Sequence, residues 1–463
     1  MSRQFIMSPV FEGEVEVGPE GVKNRVYLGR LGEKGPLRKV FFRAGREFVL
    51  LILGKRGSGK SYTLGVVLEG LAAKAASSSL STMESRPGIL LLDPMMNFWP
   101  FVIPVNSAGP DKVKKQHALL DGWECQAEES NVELWIPTGF RREFDYPSIK
   151  EFSLRTSDLD MQDWADIAGV NLVRDPQGML LAEVLDMLTI TGWTDAAGRS
   201  HQAGAEFSLD TLISCIQQGH SASHADGVVR ALARTFEAWN RTAMFSATGT
   251  PLTEFVKPGV LSILSLPQRI GHDLRRVITR VLLRRLLKER EAASQIRQRL
   301  DVQTLETEER EALASRLAKL VPKTILAVDE AQELLGDEGG EAREALEDFC
   351  LLGRNYGLSL ILATQRPTVG AISAKVRAQV DTYIIHRLLT QEDIDVTHKN
   401  LISQLPDEMR LGHDVLDYSR LLRSLDTGQC VVTSDRISSR GARTRTFVAN
   451  VRPRTRVHGG EVS

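Results

Sequence analysis

Short, unbroken apolar runs recur along the chain, separated by stretches of helical period. Glu47 to Leu53, Gly88 to Asp93 (GILLLD), Gly259 to Leu266 (GVLSILSL), Thr324 to Asp329 (TILAVD), Leu358 to Thr364 (LSLILAT) and Thr382 to His386 (TYIIH) are the runs. Each has strand length and little polar alternation, the pattern of strands covered on both faces. Between them, Ser61 to Ala76, His272 to Leu300, a charged stretch through Leu320, and Glu341 to Gly353 read as helices. Strands alternating with helices predict an α/β fold whose mostly parallel sheet carries helices on both faces.

Two segments break this rhythm. Residues 1–45 read as short strands with Gly-rich turns. Residues 97–257 read as mostly helical, with Val229, Leu232, Phe236 and Trp239 at helical spacing and Asp160 and Ser208 placed as N-caps. The aromatic stripe reads as core rather than as a binding box. The expected organisation is a short β segment (1–45), a core made of 46–96 and 258–427, an inserted helical subdomain (97–257), and strands with an extended Arg-rich tail (428–463).

Composition narrows the function classes. At 463 residues, two or three modules are expected. The longest apolar runs, such as Phe48 to Leu53, fall far short of the ~20 residues of a membrane span. The N-terminal MSRQFIMSPVFEGEVEV has acidic residues and no long apolar stretch, unlike a signal peptide. Four scattered cysteines suggest neither a disulfide framework nor a zinc site and suit a reducing cytoplasm. A net charge of -1 argues against a protein that coats DNA with its whole surface. It allows a ring that grips DNA only in its pore.

Gly54-Lys55-Arg56-Gly57-Ser58-Gly59-Lys60-Ser61 matches G-x-x-x-x-G-K-[ST] between an apolar strand and a helix, the context a P-loop needs. Glycines let backbone N–H groups wrap phosphates, and the helix adds its positive end. Lys60 is expected to reach the β- and γ-phosphates of ATP, and Ser61 to ligate magnesium. Gly54, Gly57, Ser58, Gly59 and Tyr62 complete the expected nucleotide contacts. TILAVDE ends in two carboxylates at a strand C-terminus, where α/β folds bind ligands. Asp329 would hold magnesium through water, and Glu330 would accept a proton from attacking water. Such a pair favours hydrolysis over transfer to a substrate hydroxyl. Gln365 follows a third buried strand and either contacts the γ-phosphate or sits in a plain strand exit. Arg354, after a predicted helix, is either a helix-end cation or an arginine finger for a neighbouring subunit. Arg276, Arg280, Arg284 and Lys288 form a basic ridge. It reads best as a solvated face pairing with Glu306 to Glu311, with DNA or subunit contact as the alternative.

Together these motifs resemble the HerA–FtsK superfamily, and HerA-type ATPases most closely. LGKRGSGKSYT, ILAVDEAQEL, LLGRNYGLSLILATQRP, AQVDTYIIHRLLTQED and the tail from Leu425 carry the similarity, over about 46–93 and 259 onward. The resemblance implies a RecA-like core, a hexameric ring with ATP at subunit interfaces, and double-stranded DNA in the pore. It makes Arg354 the trans-acting finger and Gln365 the nucleotide sensor. Asp93 falls where the family has Asp before a Gly-Glu-aromatic turn, but PMMNFW follows here. Only about 45 residues precede the core, so the family's N-terminal barrel, which helps dock a partner nuclease, is expected to be reduced or missing. The expected function is an ATP-driven translocase or helicase working with a separately encoded nuclease or effector, in DNA-end processing or anti-phage defence. The alternative is an ATP-controlled ring that assembles and switches such an effector.

Overall fold

Alternate residues of each apolar run face opposite ways, and both faces find a core. Leu51, Leu90, Leu326 and Leu362 pack on one side of the sheet. Leu50, Ile89, Ile325 and Ile361 pack on the other. A strand covered twice cannot alternate apolar and polar residues, which is why these runs are unbroken. The computed structural model describes all residues except 1–4, 8–11, 34–36, 128–129, 142–147, 205, 220–223, 336–339, 368–371, 402–404, 407, 441–444 and 460–463.

Among the described residues, fifteen strands form one sheet. They are β1 Glu12–Val17, β2 Asn24–Leu31, β3 Lys39–Arg43, β4 Val49–Leu53, β5 Ser81–Met83, β6 Gly88–Asp93, β7 Asn131–Pro137 and β8 Ile149–Phe152. The rest are β9 Val260–Ser265, β10 Thr324–Val328, β11 Leu358–Thr364, β12 Thr382–Ile385, β13 Gln429–Ser434, β14 Ile437–Arg440 and β15 Thr446–Val451. The spatial order β8-β7-β9-β6-β10-β11-β4-β12 is parallel throughout. This is the mostly parallel α/β sheet, with helices on both faces, that the apolar runs predicted. The P-loop helix, Lys60–Leu71, covers one face through Leu64, Val67, Leu68 and Leu71. The long helix His272–Val302 covers the other through Leu274, Val277, Ile278 and Val281.

Past β12 the ladder turns antiparallel through β13, β15, β2 and β3. β1 then pairs parallel to β3 and antiparallel to β14. The expected N-terminal segment and C-terminal strands are thus one wing of the main sheet.

The stretch 97–257 differs from its helical reading. It supplies β7 and β8, which extend the parallel sheet beyond β9. Its helices Met161–Ala168, Pro176–Asp186, Leu209–Gln218 and Asp226–Asn240 share a core with the sheet. Asp160 caps the first with a capping box and Ser208 caps the third, both through side-chain oxygens. Val229, Leu232 and Phe236 are buried core residues. The basic ridge turns towards this subdomain instead of Glu306 to Glu311. Arg280 binds Asp163 (2.6 Å) and Asp166 (3.0 Å), and Arg284 binds Asp160 and Asp163. The helix Met161–Ala168 packs on the long helix, so its acidic face meets the ridge first. The acidic stretch pairs Glu309 with Arg299 instead (2.7 Å).

Candidate nucleotide-hydrolysis site

The C-terminal ends of the parallel strands converge where open α/β sheets place ligands. β4 runs into the loop 54–59 and then the helix from Lys60. Gly57 and Gly59 have φ of 76° and 108°, a region closed to most side chains. Gly54 is fixed by crowding: a Cβ there would lie 2.4 Å from Ser58 Oγ and 2.8 Å from His386 Cβ. The Ser58 hydroxyl donates to the Lys55 carbonyl (2.7 Å), closing the loop on itself.

β10 delivers Asp329 and Glu330 beside this loop. Lys60 Nζ lies 2.9 Å from Glu330 Oε1 and 3.2 Å from Asp329 Oδ1. The Ser61 hydroxyl is 3.1 Å from Asp329 Oδ1. Burial raises the Asp329 carboxyl above the usual range, against the pull of Lys60. Burial also works to raise Glu330, but Lys60 and amide donors outweigh it and hold Glu330 below its usual range. Those donors are Gln365 Nε2 at 2.6 Å and Gln332 Nε2 at 2.7 Å. Gln332 is held in turn by the Thr364 hydroxyl (2.6 Å). Glu330 adopts φ +44°, a left-handed conformation that costs a non-glycine residue about 1–3 kcal/mol. The strain aims its carboxylate at both Lys60 and Gln365.

These residues suit ATP and magnesium. The loop offers backbone donors and a helix N-terminus to phosphates. Ser61 and Asp329 present a hydroxyl and a carboxylate to one point. Magnesium keeps most of its water and needs few protein ligands. Among the described residues no cluster of three or more His, Cys, Asp or Glu side chains marks a separate metal site.

The Tyr62 side chain turns away from the loop. Its hydroxyl accepts from the Arg454 backbone N–H (2.8 Å), so the phenol points to the C-terminal tail and only the Tyr62 N–H is left for phosphate. Arg354 is not near Lys60. It sits in the turn Gly353–Tyr356, ahead of β11, and binds Asp381 Oδ1 (2.9 Å) and Oδ2 (2.8 Å). Seven residues of β11 at about 3.3 Å each put the two edges of the sheet ~20 Å apart.

Three buried groups were not read from the sequence as site residues. His386, at the end of β12, is within hydrogen-bond distance of the Thr63 hydroxyl (2.8 Å, Nε2) and the Gln429 carbonyl (2.9 Å, Nδ1). Burial lowers its pKa to about 4. The signal was present: a polar residue ends an apolar strand there, as Asp329 ends another. Asp93 accepts from the Phe98 N–H (2.8 Å) and the Asn97 N–H (3.0 Å), and burial raises it to about 7 with Asp329 adding to the rise. It therefore shapes the 94–98 turn, although the family's turn sequence is absent. Glu69, fully buried on the P-loop helix, binds Arg452 and accepts from the Thr455 N–H (3.0 Å) and hydroxyl (3.1 Å). The tail is thereby strapped along the helix that carries Lys60.

A family model described as the central domain of the HerA helicase matches residues 49–286. The FtsK DNA translocase of Treponema pallidum (strain Nichols) is 25% identical over 170 residues, 35% of this chain and 21% of that protein. That of Pseudomonas putida (strain KT2440) is 30% identical over 100 residues, 22% of this chain and 12% of that protein. The matched stretch thus spans about a fifth or less of these relatives' length. The VirB4 structure from Thermoanaerobacter pseudethanolicus aligns over 95% of this chain and 98% of that one, with a TM-score of 0.48 and 14% identity. The plasmid coupling protein TrwB in complex with the ATP analogue ADPNP aligns over 89% and 87%, with a TM-score of 0.43 and 11% identity.

Proposed function

The chain belongs to the family of the HerA helicase central domain, a branch of the HerA–FtsK P-loop ATPases, and we propose that it acts as a hexameric ring that hydrolyses ATP to pull or unwind double-stranded DNA. One observation carries the reading. Lys60, Asp329 and Glu330 stand at one edge of the sheet, and Arg354 stands at the other. An arginine ~20 Å from its own P-loop serves a nucleotide only in another copy. Copies stacked head to tail close into a ring when the rotation closes.

In this mechanism the loop 54–59, Lys60 and the Tyr62 N–H hold the phosphates of ATP. Ser61 and Asp329 would hold magnesium, which when bound would draw charge from the phosphate oxygens. Glu330 takes the proton of the attacking water, and Gln365, already on that carboxylate, senses whether the γ-phosphate is present. Arg354 of the neighbour stabilises charge on the transferred phosphoryl group. DNA in the pore meets Lys and Arg side chains, and a separately encoded nuclease or other effector uses the delivered strand, in end repair or anti-phage defence.

The test measures ATP hydrolysis with and without duplex DNA, and displacement of a triplex-forming strand from that duplex. We expect DNA to accelerate hydrolysis, salt to weaken binding, and displacement to need an intact Lys60. A ring whose hydrolysis ignores DNA of every length, and which displaces nothing, would be a scaffold for an effector and not a motor.

A further inference from the structure

A groove of about 770 Å³ runs along the edge of the sheet opposite the P-loop. Phe48, Pro87, Pro258, Lys323 and Gly357 line it, and each lies within two residues ahead of one of the parallel strands β4, β6, β9, β10 and β11. Its charge is one-sided. Arg46, Arg86, Lys257, Arg290, Arg297 and Lys323 face a single lining carboxylate, Glu47. Glu47 is taken by Lys323 (2.7 Å), and Lys257 is drawn to Glu133 (3.3 Å). Among the described residues, Arg46, Arg290 and Arg297 have no carboxylate within ion-pair distance.

Arg290 makes this imbalance costly. It is buried, donating to the carbonyls of Tyr356 (2.8 Å) and Val321 (2.9 Å). Burial, with repulsion from Arg297 and against a weaker pull from Glu47, lowers its pKa to about 10. Its carbonyl partners fix the guanidinium without neutralising it, and Glu47 offsets only part of the groove's charge, so an anion brought there would gain a net positive field in a low-dielectric place.

The opposite edge of the same molecule offers such anions. The Lys55 N–H of the P-loop bonds the Arg387 carbonyl (3.2 Å), and four residues later the helix Gln391–Leu401 begins. Its first turns expose Glu392 and Asp395, neither with a cation within ion-pair distance among the described residues. A basic socket and acidic residues on opposite edges of one chain make a head-to-tail, heterologous contact complementary. Tyr356, whose carbonyl holds Arg290, lies two residues from Arg354, so the groove is continuous with the edge that carries the proposed finger.

We propose that this groove is the socket for the nucleotide edge of a second copy, with Arg46, Arg290 and Arg297 receiving Glu392 and Asp395 of that copy. The inference rests on the ring reading above and names the surface that sets the register of the ring. It also explains how a chain of net charge -1 keeps a strongly basic groove. Pairing is local and complementary.

Charge reversal at exposed positions tests it. Mass photometry with ATP and magnesium is run on wild type, on Arg46→Glu/Arg297→Glu, on Glu392→Lys/Asp395→Lys, and on an equal mixture of the two variants. All should melt with wild type, since each substitution is on the surface. Each double variant should assemble at least roughly tenfold more weakly. The mixture should recover rings, because reversed sockets meet reversed acidic edges while native sockets meet native ones. Variants that assemble like wild type would overturn the proposal, and so would a mixture that stays monomeric. Normal assembly with lost DNA binding would give the groove to DNA. A wild type that never assembles would sink the ring reading together with the socket, which is a different result from failure of the variants alone.

Discussion

At the scale of single residues, the proposed mechanism gives holding a nucleotide and cutting it to different side chains. Lys60 is nearly fully buried, and its close partners among the described residues are the two carboxylates and Ser61. Lys60→Ala should abolish ATP binding, because the phosphates lose their main side-chain cation. Glu330→Gln should bind ATP and not turn it over, since an amide cannot take the proton. Titration with a fluorescent nucleotide, beside a phosphate-release assay, reads both; equal loss of binding in the two variants would contradict the assignment. His386 gives a second prediction. Its pKa in the fold is about 4, against about 6.5 in an unfolded chain. A lowered histidine leaves the unfolded state binding more protons between those values. The stability tied to neutral His386 is therefore full above pH 6.5 and is lost as pH falls towards 4. Chemical denaturation across that window should show wild type losing about 3 kcal/mol relative to His386→Gln. Parallel pH curves for the two proteins would show that His386 titrates normally.

At the scale of elements, the P-loop helix is gripped from behind. Arg452 donates to Glu69 and to the Tyr27 (2.7 Å) and Val66 (3.1 Å) carbonyls. Arg454 lies over the Phe101 ring (4.5 Å), and its guanidinium occupies the space that a Cβ on Gly65 would need. Removing one partner of a fully buried pair strands the other charge. Glu69→Ala should therefore cost about 3–5 kcal/mol in urea denaturation. A loss under about 1 kcal/mol would mean that the strap is incidental. Little of this strap was legible in the sequence, because it joins residues almost 400 positions apart. The core strands were legible because each is buried twice and so carries its own signal. β7 and β8 were not: NVELWIP and IKEF lie at the end of the sheet, where cover is partial (Asn131 to Glu133 half-buried, Lys150 and Glu151 exposed), and they sit among helices. The basic ridge was visible on the long helix, but its acidic partners depended on which helix packs there.

At the scale of the whole molecule, the P-loop and Arg354 stand at opposite ends of the parallel strands. The motif order in the sequence placed the P-loop and Glu330 together, and it offered Arg354 either as a helix cap or as a finger. The finger reading proposed above rests on the edge on which Arg354 stands. Asp381 holds it there while also accepting the Val49 N–H (3.0 Å) at the start of β4, so the arginine is tied to the sheet and not to a loose turn. No helix among the described residues is long and apolar enough to cross a membrane. The most direct measurement is ATP hydrolysis by a mixture of Arg354→Ala and Glu330→Gln proteins under conditions where subunits exchange. Each variant alone should bind ATP and hydrolyse it at least ~10³-fold more slowly than wild type. In mixed rings, some sites pair an intact Glu330 with an intact Arg354 from the next copy, and the mixture should regain activity well above the sum of its parts. A mixture that never exceeds that sum would mean that Arg354 serves its own subunit, and the two-copy site would be wrong.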